Sequence, residues 1–376
     1  MILGLFTELS AAGGVQRAGR LTAAALSEIA AARGDKCVFL SLNDAASNAP
    51  LRVGSQKIAY AGFGRSKVFF IASALRAALR QPKLIVAFHP HLSPIVSAAK
   101  RLASRSRSVV FAHGIEVWTP LPFSRRAALR RSDQVIAPSE YTLQHVIQTQ
   151  GVSPAKVKKL PWSLGPEFTA GAASCQNHEA KANLPRRRTI LTIGRWDAGE
   201  AYKGVDHLIM TMPALIAAVP DVRLVAIGGG TDSPRLQRLA QEQGVASHVE
   251  FAAPMAPEAL SRVYADAEIF ALPSKGEGFG LVFLEAMSHG KPVIGGAHGG
   301  TPEVIEEGIS GYLVPYGDVA VLTDRLLGLL SDQSLRVEMG KRAFERVCSQ
   351  FTYTRFASEL EQLLSPLLGA PARNGD

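Results

Sequence analysis

Short, mainly apolar runs alternate with helix-length stretches in two successive series along this chain, and that alternation narrows the fold more than any other feature. Residues 2–6, 37–42, 84–88, 109–112 and 135–137 read as buried strands in the first half. Residues 189–193, 222–227, 249–251, 269–272 and 292–294 repeat the scheme in the second. A strand covered by helices on both faces is apolar throughout instead of alternating, so the pattern predicts βαβ units around parallel sheets. At 376 residues the chain has room for two such domains. Between the two series, residues 160–184 hold Pro161, Gly165, Pro166, Gly171 and a polar Cys-Gln-Asn-His-Glu stretch, a composition expected of a linker and surface loop. The boundary is therefore expected near residue 165, giving a first domain over 1–165 and a second over 166–350. Residues 351–376 add a last helix, with Phe356, Leu360, Leu363 and Leu364 at helical spacing up to Leu368, and a frayed tail over 370–376.

Charge divides along the same line. Residues 1–165 carry 22 Lys and Arg against 7 Asp and Glu, whereas the remainder carries 19 against 25. An anion attracted to this protein is expected to meet the first half. Cys37, Cys175 and Cys348 are odd in number and far apart, which gives no disulfide framework and no metal-binding pair and fits a reducing cytosol. The start lacks a basic n-region and a cleavage site, and no apolar stretch reaches the ~20 residues needed to cross a bilayer. Collagen-like, repetitive and wholly disordered classes are excluded by 47% hydrophobic and 19% charged residues.

Four places carry chemistry. Gly13-Gly14-Val15-Gln16-Arg17 follows the first strand and opens a helix, where backbone N–H groups and the helix dipole suit an anion; a tight turn is the plainer alternative, and the full dinucleotide fingerprint is absent. Gly194-Arg195 ends the first strand of the second half, and Lys203-Gly204 opens the next helix. Two cations at the carboxyl ends of a parallel sheet suit a diphosphate, with solvated loop residues as the bland alternative. Residues 275–286, KGEGFGLVFLEA, put Glu277 in a Gly-rich strand-to-helix turn and Glu285 inside the helix. The amides of Phe279, Gly280 and Leu281 then lie at a helix N-terminus suited to phosphate, and the two carboxylates suit sugar hydroxyls. An uncompensated buried carboxylate is costly, which favours a polar ligand over a solvated helix face for Glu285. His89-Pro90-His91 offers two imidazoles without a third ligand, so it reads as strand-end structure before it reads as a metal site.

With these motifs in view the chain resembles a family 4 retaining glycosyltransferase of the GT-B fold over essentially its whole length. Further matches are Ala137-Pro138-Ser139-Glu140, Leu272-Pro273-Ser274, Gly290-Lys291-Pro292-Val293-Ile294, Gly299-Gly300-Thr301-Pro302-Glu303 and residues 308–313. The resemblance implies two doubly wound Rossmann-like domains facing across a cleft, the first binding an acceptor and the second a nucleotide-diphosphate sugar, with the final helix crossing back to the first domain. It implies that Arg195 and Lys203 neutralise the diphosphate, Glu285 holds the ribose, Glu277 contacts the donor sugar, Gly14 lies under the phosphate and His113 lines the sugar pocket. Expected catalytic residues are thus His113, Glu277, Arg195 and Lys203; expected donor-binding residues are Gly14, Arg195, Lys203, Phe279, Gly280, Leu281 and Glu285.

One departure stands in the linker, where Leu160-Pro161-Trp162-Ser163-Leu164-Gly165-Pro166-Glu167-Phe168 replaces the family's usual Pro-Asn-Gly-Val run. No Asp-x-Asp motif occurs, Asp266-Ala267-Glu268 being a poor substitute, so cationic side chains are expected to replace a divalent ion and no cofactor is expected. The activity implied is retaining transfer of a hexose from GDP-mannose or a UDP-hexose to a glycan or polyprenyl-diphosphate-linked acceptor in cell-envelope or exopolysaccharide synthesis. A non-catalytic nucleotide-sugar-binding protein and a nucleotide-sugar epimerase of the same fold are the alternatives; a phosphorylase would need a pyridoxal site on a longer chain. Three basic clusters, Arg76, Arg80 and Lys83, then Lys100, Arg101, Arg105 and Arg107, then Arg125, Arg126, Arg130 and Arg131, point to anionic lipid headgroups or a lipid-diphosphate acceptor, with a solvated surface as the plainer alternative; the motifs that read nucleic acid are absent. The expected location is the cytoplasm, with peripheral contact at the inner face of the plasma membrane.

Overall fold

The computed structural model describes residues 1–11, 13–46, 50–166 and 188–369. The polar stretch after Cys175 and the tail over 370–376 lie outside the described residues. The chain divides into two compact units, Met1–Pro166 with Thr352–Asp376, and Glu167–Phe351.

In the first unit the strands are β1 (Ile2–Phe6), β2 (Cys37–Ser41), β3 (Leu51–Val53), β4 (Gln56–Ile58), β5 (Ala61–Gly62), β6 (Leu84–Ala87), β7 (Arg107–Phe111), β8 (Gln134–Ala137) and β9 (Val157–Lys159). Seven of them form a sheet in the order β5-β2-β1-β6-β7-β8-β9, every neighbouring pair parallel, and β3 and β4 make a separate antiparallel hairpin. Side chains alternate across a strand, so Leu3 and Leu5, Ile85 and Ala87, and Val110 share one core. Helices Lys67–Ala78, Ser93–Leu102 and Phe123–Arg131 lie side by side and cover them with Phe70, Ala74, Val96, Ala99 and Leu129. Each such side chain removed from water contributes about 1.5–3 kcal/mol for the larger residues. The last helix, Tyr353–Leu368, buries Phe356, Leu360, Leu364 and Leu368 on one stripe and packs on the first helix, Gly14–Ala32, where the Tyr353 hydroxyl donates to Glu28 Oε1 at 3.0 Å.

The second unit holds β10 (Arg188–Arg195), β11 (Val222–Gly229), β12 (Val249–Ala252), β13 (Ile269–Leu272), β14 (Val293–Gly296) and β15 (Gly311–Val314). They form one parallel sheet in the order β12-β11-β10-β13-β14-β15. Both sheets therefore wind outward in two directions from their first strand, the arrangement of a doubly wound nucleotide-binding fold. The sequence pattern missed β3, β4, β5, β9 and β15. The first four are two or three residues long, and β9 exposes both of its lysines; β15 leaves Tyr312 and Leu313 only half-buried at the sheet edge. Among the described residues no helix is long and apolar enough to cross a membrane.

Candidate functional site

In an open parallel sheet the loops after two neighbouring strands part where the winding direction reverses, leaving a crevice at the strands' carboxyl ends. In the second unit that point lies between β10 and β13, which pair as Ile190↔Ile269 and Leu191↔Phe270. Arg195 is the last residue of β10, and Pro273 to Gly280 follow β13. Two glycines let the β10 loop close on this point. A Cβ at Gly194 would stand 2.7 Å from the Trp196 ring, so the missing side chain is what lets that indole fold back over the strand end, with Lys203 Cδ in ordinary contact at 3.5 Å. Gly204 has φ 73°, and a Cβ there would lie 2.6 Å from the Pro273 carbonyl oxygen. Only glycine meets both demands. The Lys275 N–H donates to the Tyr202 carbonyl at 2.8 Å, tying the two loops together beside Lys203.

The charged groups gather around Lys203. Its Nζ stands 3.7 Å from Glu200 Oε2 and 3.9 Å from Glu277 Oε1, ion-pair distances too long for hydrogen bonds. Arg195 is bound by Glu200 through Nη2 and lies 3.1 Å from Asp197 Oδ2 through Nε, on a side chain that is 68% exposed. Two cations thus share three carboxylates at the switch point. Burial pushes the Glu277 carboxyl above its ordinary value, and Lys203 offsets only part of that. The Tyr202 phenol is pushed up to about 12, first by burial and then by the Glu277 charge.

The Gly-rich run after β13 has its own supports. Ser274 Oγ accepts from the Gly276 N–H at 3.1 Å, and the Glu277 carbonyl accepts from the Gly300 N–H at 2.7 Å, which fixes the backbone on either side of the Glu277 side chain. Gly280, at φ 94°, caps helix Leu281–Ser288; a Cβ there would lie 2.5 Å from Phe283 Cδ2. Phe279, Gly280 and Leu281 therefore stand at a true helix N-terminus, where amide donors collect. Glu285 is 5% exposed, and the Tyr264 hydroxyl donates to its Oε2 at 2.9 Å. This corrects the expectation of an uncompensated carboxylate: Tyr264, on helix Pro257–Asp266, supplies a protein partner. The Asp266-Ala267-Glu268 segment is also accounted for in part, since Glu268 Oε2 accepts the Thr189 N–H at 2.6 Å at the start of β10.

Gly14 and His113 belong to the first unit. Gly14 is the first residue of helix Gly14–Ala32, behind a Gly13 at φ 145°. The loop from β1 to that helix is held by the buried Asp44, which accepts from the Leu9 N–H at 2.8 Å and the Ser10 N–H at 3.0 Å. His113 follows β7 and is 7% exposed; its Nε2 lies 2.6 Å from the Phe88 carbonyl oxygen. A carbonyl only accepts, so Nε2 carries the proton and Nδ1 bears the lone pair. Nδ1 is buried with no hydrogen-bond partner among the described residues. Burial brings the imidazole down to about 4, against a smaller upward pull from Phe88. His89 stands beside it, with ring centroids 5.6 Å apart, and His89 Nδ1 accepts from the His91 N–H at 3.1 Å. Among the described residues no three potential ligands form a metal-holding group.

The structure thus gathers Arg195, Lys203 and Glu277 at the carboxyl end of the second sheet, with Phe279, Gly280, Leu281 and Glu285 on the run that follows β13. Asp44, which holds the loop before Gly14, and Tyr264 and Trp162, which meet Glu285 and His113, went unread in sequence. Each acts on a residue at least 21 positions away or in another element, so spacing carries no signal for them.

Comparison with known proteins gives a consistent family. Residues 176–346 match the model for glycosyl transferases group 1, and residues 12–162 match the model for glycosyltransferase family 4. A GDP-mannose-dependent alpha-(1-6)-phosphatidylinositol monomannoside mannosyltransferase of Mycobacterium tuberculosis is 32% identical over 283 residues, covering 72% of this chain and 72% of that protein. A D-inositol 3-phosphate glycosyltransferase of Corynebacterium jeikeium is 31% identical over 260 residues, covering 65% of this chain and 61% of that protein. Among solved structures, Anabaena HepE in complex with UDP superimposes with a TM-score of 0.74 at 19% identity, over 97% of this chain and 99% of that one.

Proposed function

Since the chain belongs to the group 1, family 4 glycosyltransferases, we propose that it moves a hexose from a nucleotide-diphosphate sugar to a glycan or lipid-linked acceptor with retention of anomeric configuration. The observation that carries this reading is the placement of Arg195 and Lys203 at the switch point of the second sheet, against the Glu277 turn. Breaking a glycosyl–phosphate bond leaves negative charge on the departing diphosphate. Fixed cations stabilise that charge more as cleavage advances, which is what lowers the barrier instead of merely tightening binding. The helix N-terminus at Phe279 to Leu281 adds amide donors of the same sign. Glu277 accepts from sugar hydroxyls, Glu285 from the ribose, and His113 offers its Nδ1 lone pair to a hydroxyl of the transferred sugar. Gly14 gives a phosphate close access to backbone. The first unit takes the acceptor and the second the donor.

With two cationic side chains in this role the reaction proceeds without a divalent metal. GDP-mannose is the favoured donor because the mannosyltransferase relatives are named for it; UDP-hexoses are the second choice. A panel of GDP- and UDP-sugars in a thermal-shift assay should single out one donor, since a ligand bound at 100 times its Kd stabilises by about 2.7 kcal/mol. Transfer from that donor in EDTA, followed by NMR, is expected to give a product with the donor's anomeric configuration. An inverted product would overturn the retaining mechanism, and activity that returns only with added Mg²⁺ or Mn²⁺ would overturn the metal-free one.

The acceptor reading extends to an anionic membrane surface, in keeping with cell-envelope or exopolysaccharide synthesis. Some of the basic excess is spent internally: Lys83 pairs with Asp35 at 2.8 Å, and Lys100 and Arg107 pair with Asp133 at 2.5 and 3.2 Å. What remains is joined by exposed apolar groups. Val68, Phe69 and Phe123 are 75%, 69% and 80% exposed. They sit in the first turns of helices Lys67–Ala78 and Phe123–Arg131, in the same layer as Ser93–Leu102. A helix that links parallel strands starts at their carboxyl edge, so all three mark the edge at which this fold binds its ligands. Each basic residue near an anionic surface is worth about 1 kcal/mol. Co-sedimentation with vesicles should rise with anionic lipid, fall with salt, and drop in a Phe69→Ser, Phe123→Ser double variant. Equal, negligible sedimentation with neutral and anionic vesicles at low salt would remove the membrane reading.

A further inference from the structure

We propose that Trp162 is the positioning residue of His113, holding the imidazole in the one orientation that turns its Nδ1 lone pair toward substrate; the inference rests on the reading that His113 meets the transferred sugar. The indole stacks on the imidazole with centroids 5.6 Å apart and planes 24° apart. An imidazole has two nearly isosteric orientations related by a ring flip, and only one lets Nε2–H reach the Phe88 carbonyl while Nδ1 stays an acceptor. The hydrogen bond chooses the orientation. The flat wall on one face of the ring keeps the ring in that plane.

The wall is itself clamped. Trp162 is 5% exposed and lies against Phe111 at 5.9 Å and 23°, Phe88 at 5.7 Å and Phe356 at 6.0 Å. Phe88 and Phe111 stand at the carboxyl ends of β6 and β7, and Phe356 comes from the last helix, so the indole is gripped from three elements. Phe88 also presses the imidazole from another direction, with centroids 4.7 Å apart. Trp162 lies in the run that departs from the family's Pro-Asn-Gly-Val pattern, and a small polar residue could not build such a wall.

The wall also excludes water from His113, which accords with the depressed imidazole. His89 stands beside this ring, Glu116 Oε1 accepts the His113 backbone N–H at 2.6 Å, and the charges of His91 and Arg125 act on His89. None of them is Trp162's neighbour in sequence, so a change at Trp162 leaves their charges in place.

NMR of the imidazole ring nitrogens and carbons in the full chain, assigned with His113→Gln, reads both tautomer and titration without any substrate. In Trp162→Ala the His113 midpoint should climb from about 4 toward the ordinary 6.5, by at least ~1 unit, as water enters. The Nε2–H tautomer should lose its dominance, and kcat should fall roughly tenfold or more with donor KM nearly unchanged. Trp162→Phe should restore all three. Circular dichroism checks the fold, and Trp162→Leu serves if the alanine variant does not fold. An unchanged midpoint and tautomer in a folded variant overturns the proposal. A moved midpoint with undiminished turnover overturns the role of His113 on which it rests.

Discussion

Lys203→Ala lowers kcat by roughly 10³-fold and Arg195→Ala by roughly 10²-fold, with circular dichroism unchanged in both. The ranking follows from their surroundings. The Lys203 side chain is 17% exposed and its ammonium lies 3.7 and 3.9 Å from two carboxylates, so its charge acts in a poorly solvated place and its donors are in reach of phosphate oxygens. Arg195 is 68% exposed and already engaged by Glu200 and Asp197, so water and carboxylates screen much of what it offers. Neither residue contributes apolar packing to the core, and Gly194 and Gly204 hold the loop without them. Near-normal turnover in both variants would remove the diphosphate clamp from the account.

Glu277→Gln is expected to move stability and activity in opposite directions. Turnover is expected to fall about 100-fold, the scale for losing one well-placed polar contact in the transition state. Stability of the ligand-free protein should rise, because the wild-type carboxylate is buried and Lys203, at 3.9 Å, offsets only part of that cost. The folded-state value of Glu277 lies above the unfolded one, so the folded protein binds its proton more tightly. That contribution favours folding below the ordinary carboxyl range and is lost as pH rises through the raised value. Glutamine has no such loss. The two proteins should therefore melt alike near pH 4 and diverge toward pH 7, with the variant ahead by about 1 kcal/mol, or ~2–4 °C. A variant that melts lower than wild type at pH 7 would show that the carboxylate is a net stabiliser, contrary to its burial. Binding sites commonly carry this kind of cost in stability.

Much of this protein was legible in its sequence, and the parts that were not share a cause. Buried parallel strands announce themselves as unbroken apolar runs, so the central strands of both sheets and the doubly wound class were readable, as was the helix Tyr353–Leu368 from its apolar spacing. Edge strands such as β5 and β9 bury little and leave no such trace. The motifs around Arg195, Lys203 and Glu277 to Glu285 could be read because each is local, a strand end or turn with its glycines in place. Their partners could not. Tyr264 reaches Glu285 from another helix, Trp162 reaches His113 across the ends of two strands, and Asp133 neutralises Lys100 and Arg107 inside what the sequence presents as a basic cluster. Composition counts charges without showing which are paired. It likewise gave no sign that Phe69 and Phe123 are exposed, since in sequence both look like core residues.

The carboxyl end of the second sheet is expected to receive a nucleoside diphosphate through Lys203 and Arg195. Isothermal titration of GDP and of UDP into the intact protein tests it without requiring the acceptor. One of the two should bind 1:1, at least ~10-fold more weakly in Lys203→Ala and weakened to a lesser degree in Arg195→Ala, with affinity falling as salt rises. Binding of equal strength in the wild type and both variants, or no binding of either nucleotide at millimolar concentration, would contradict it.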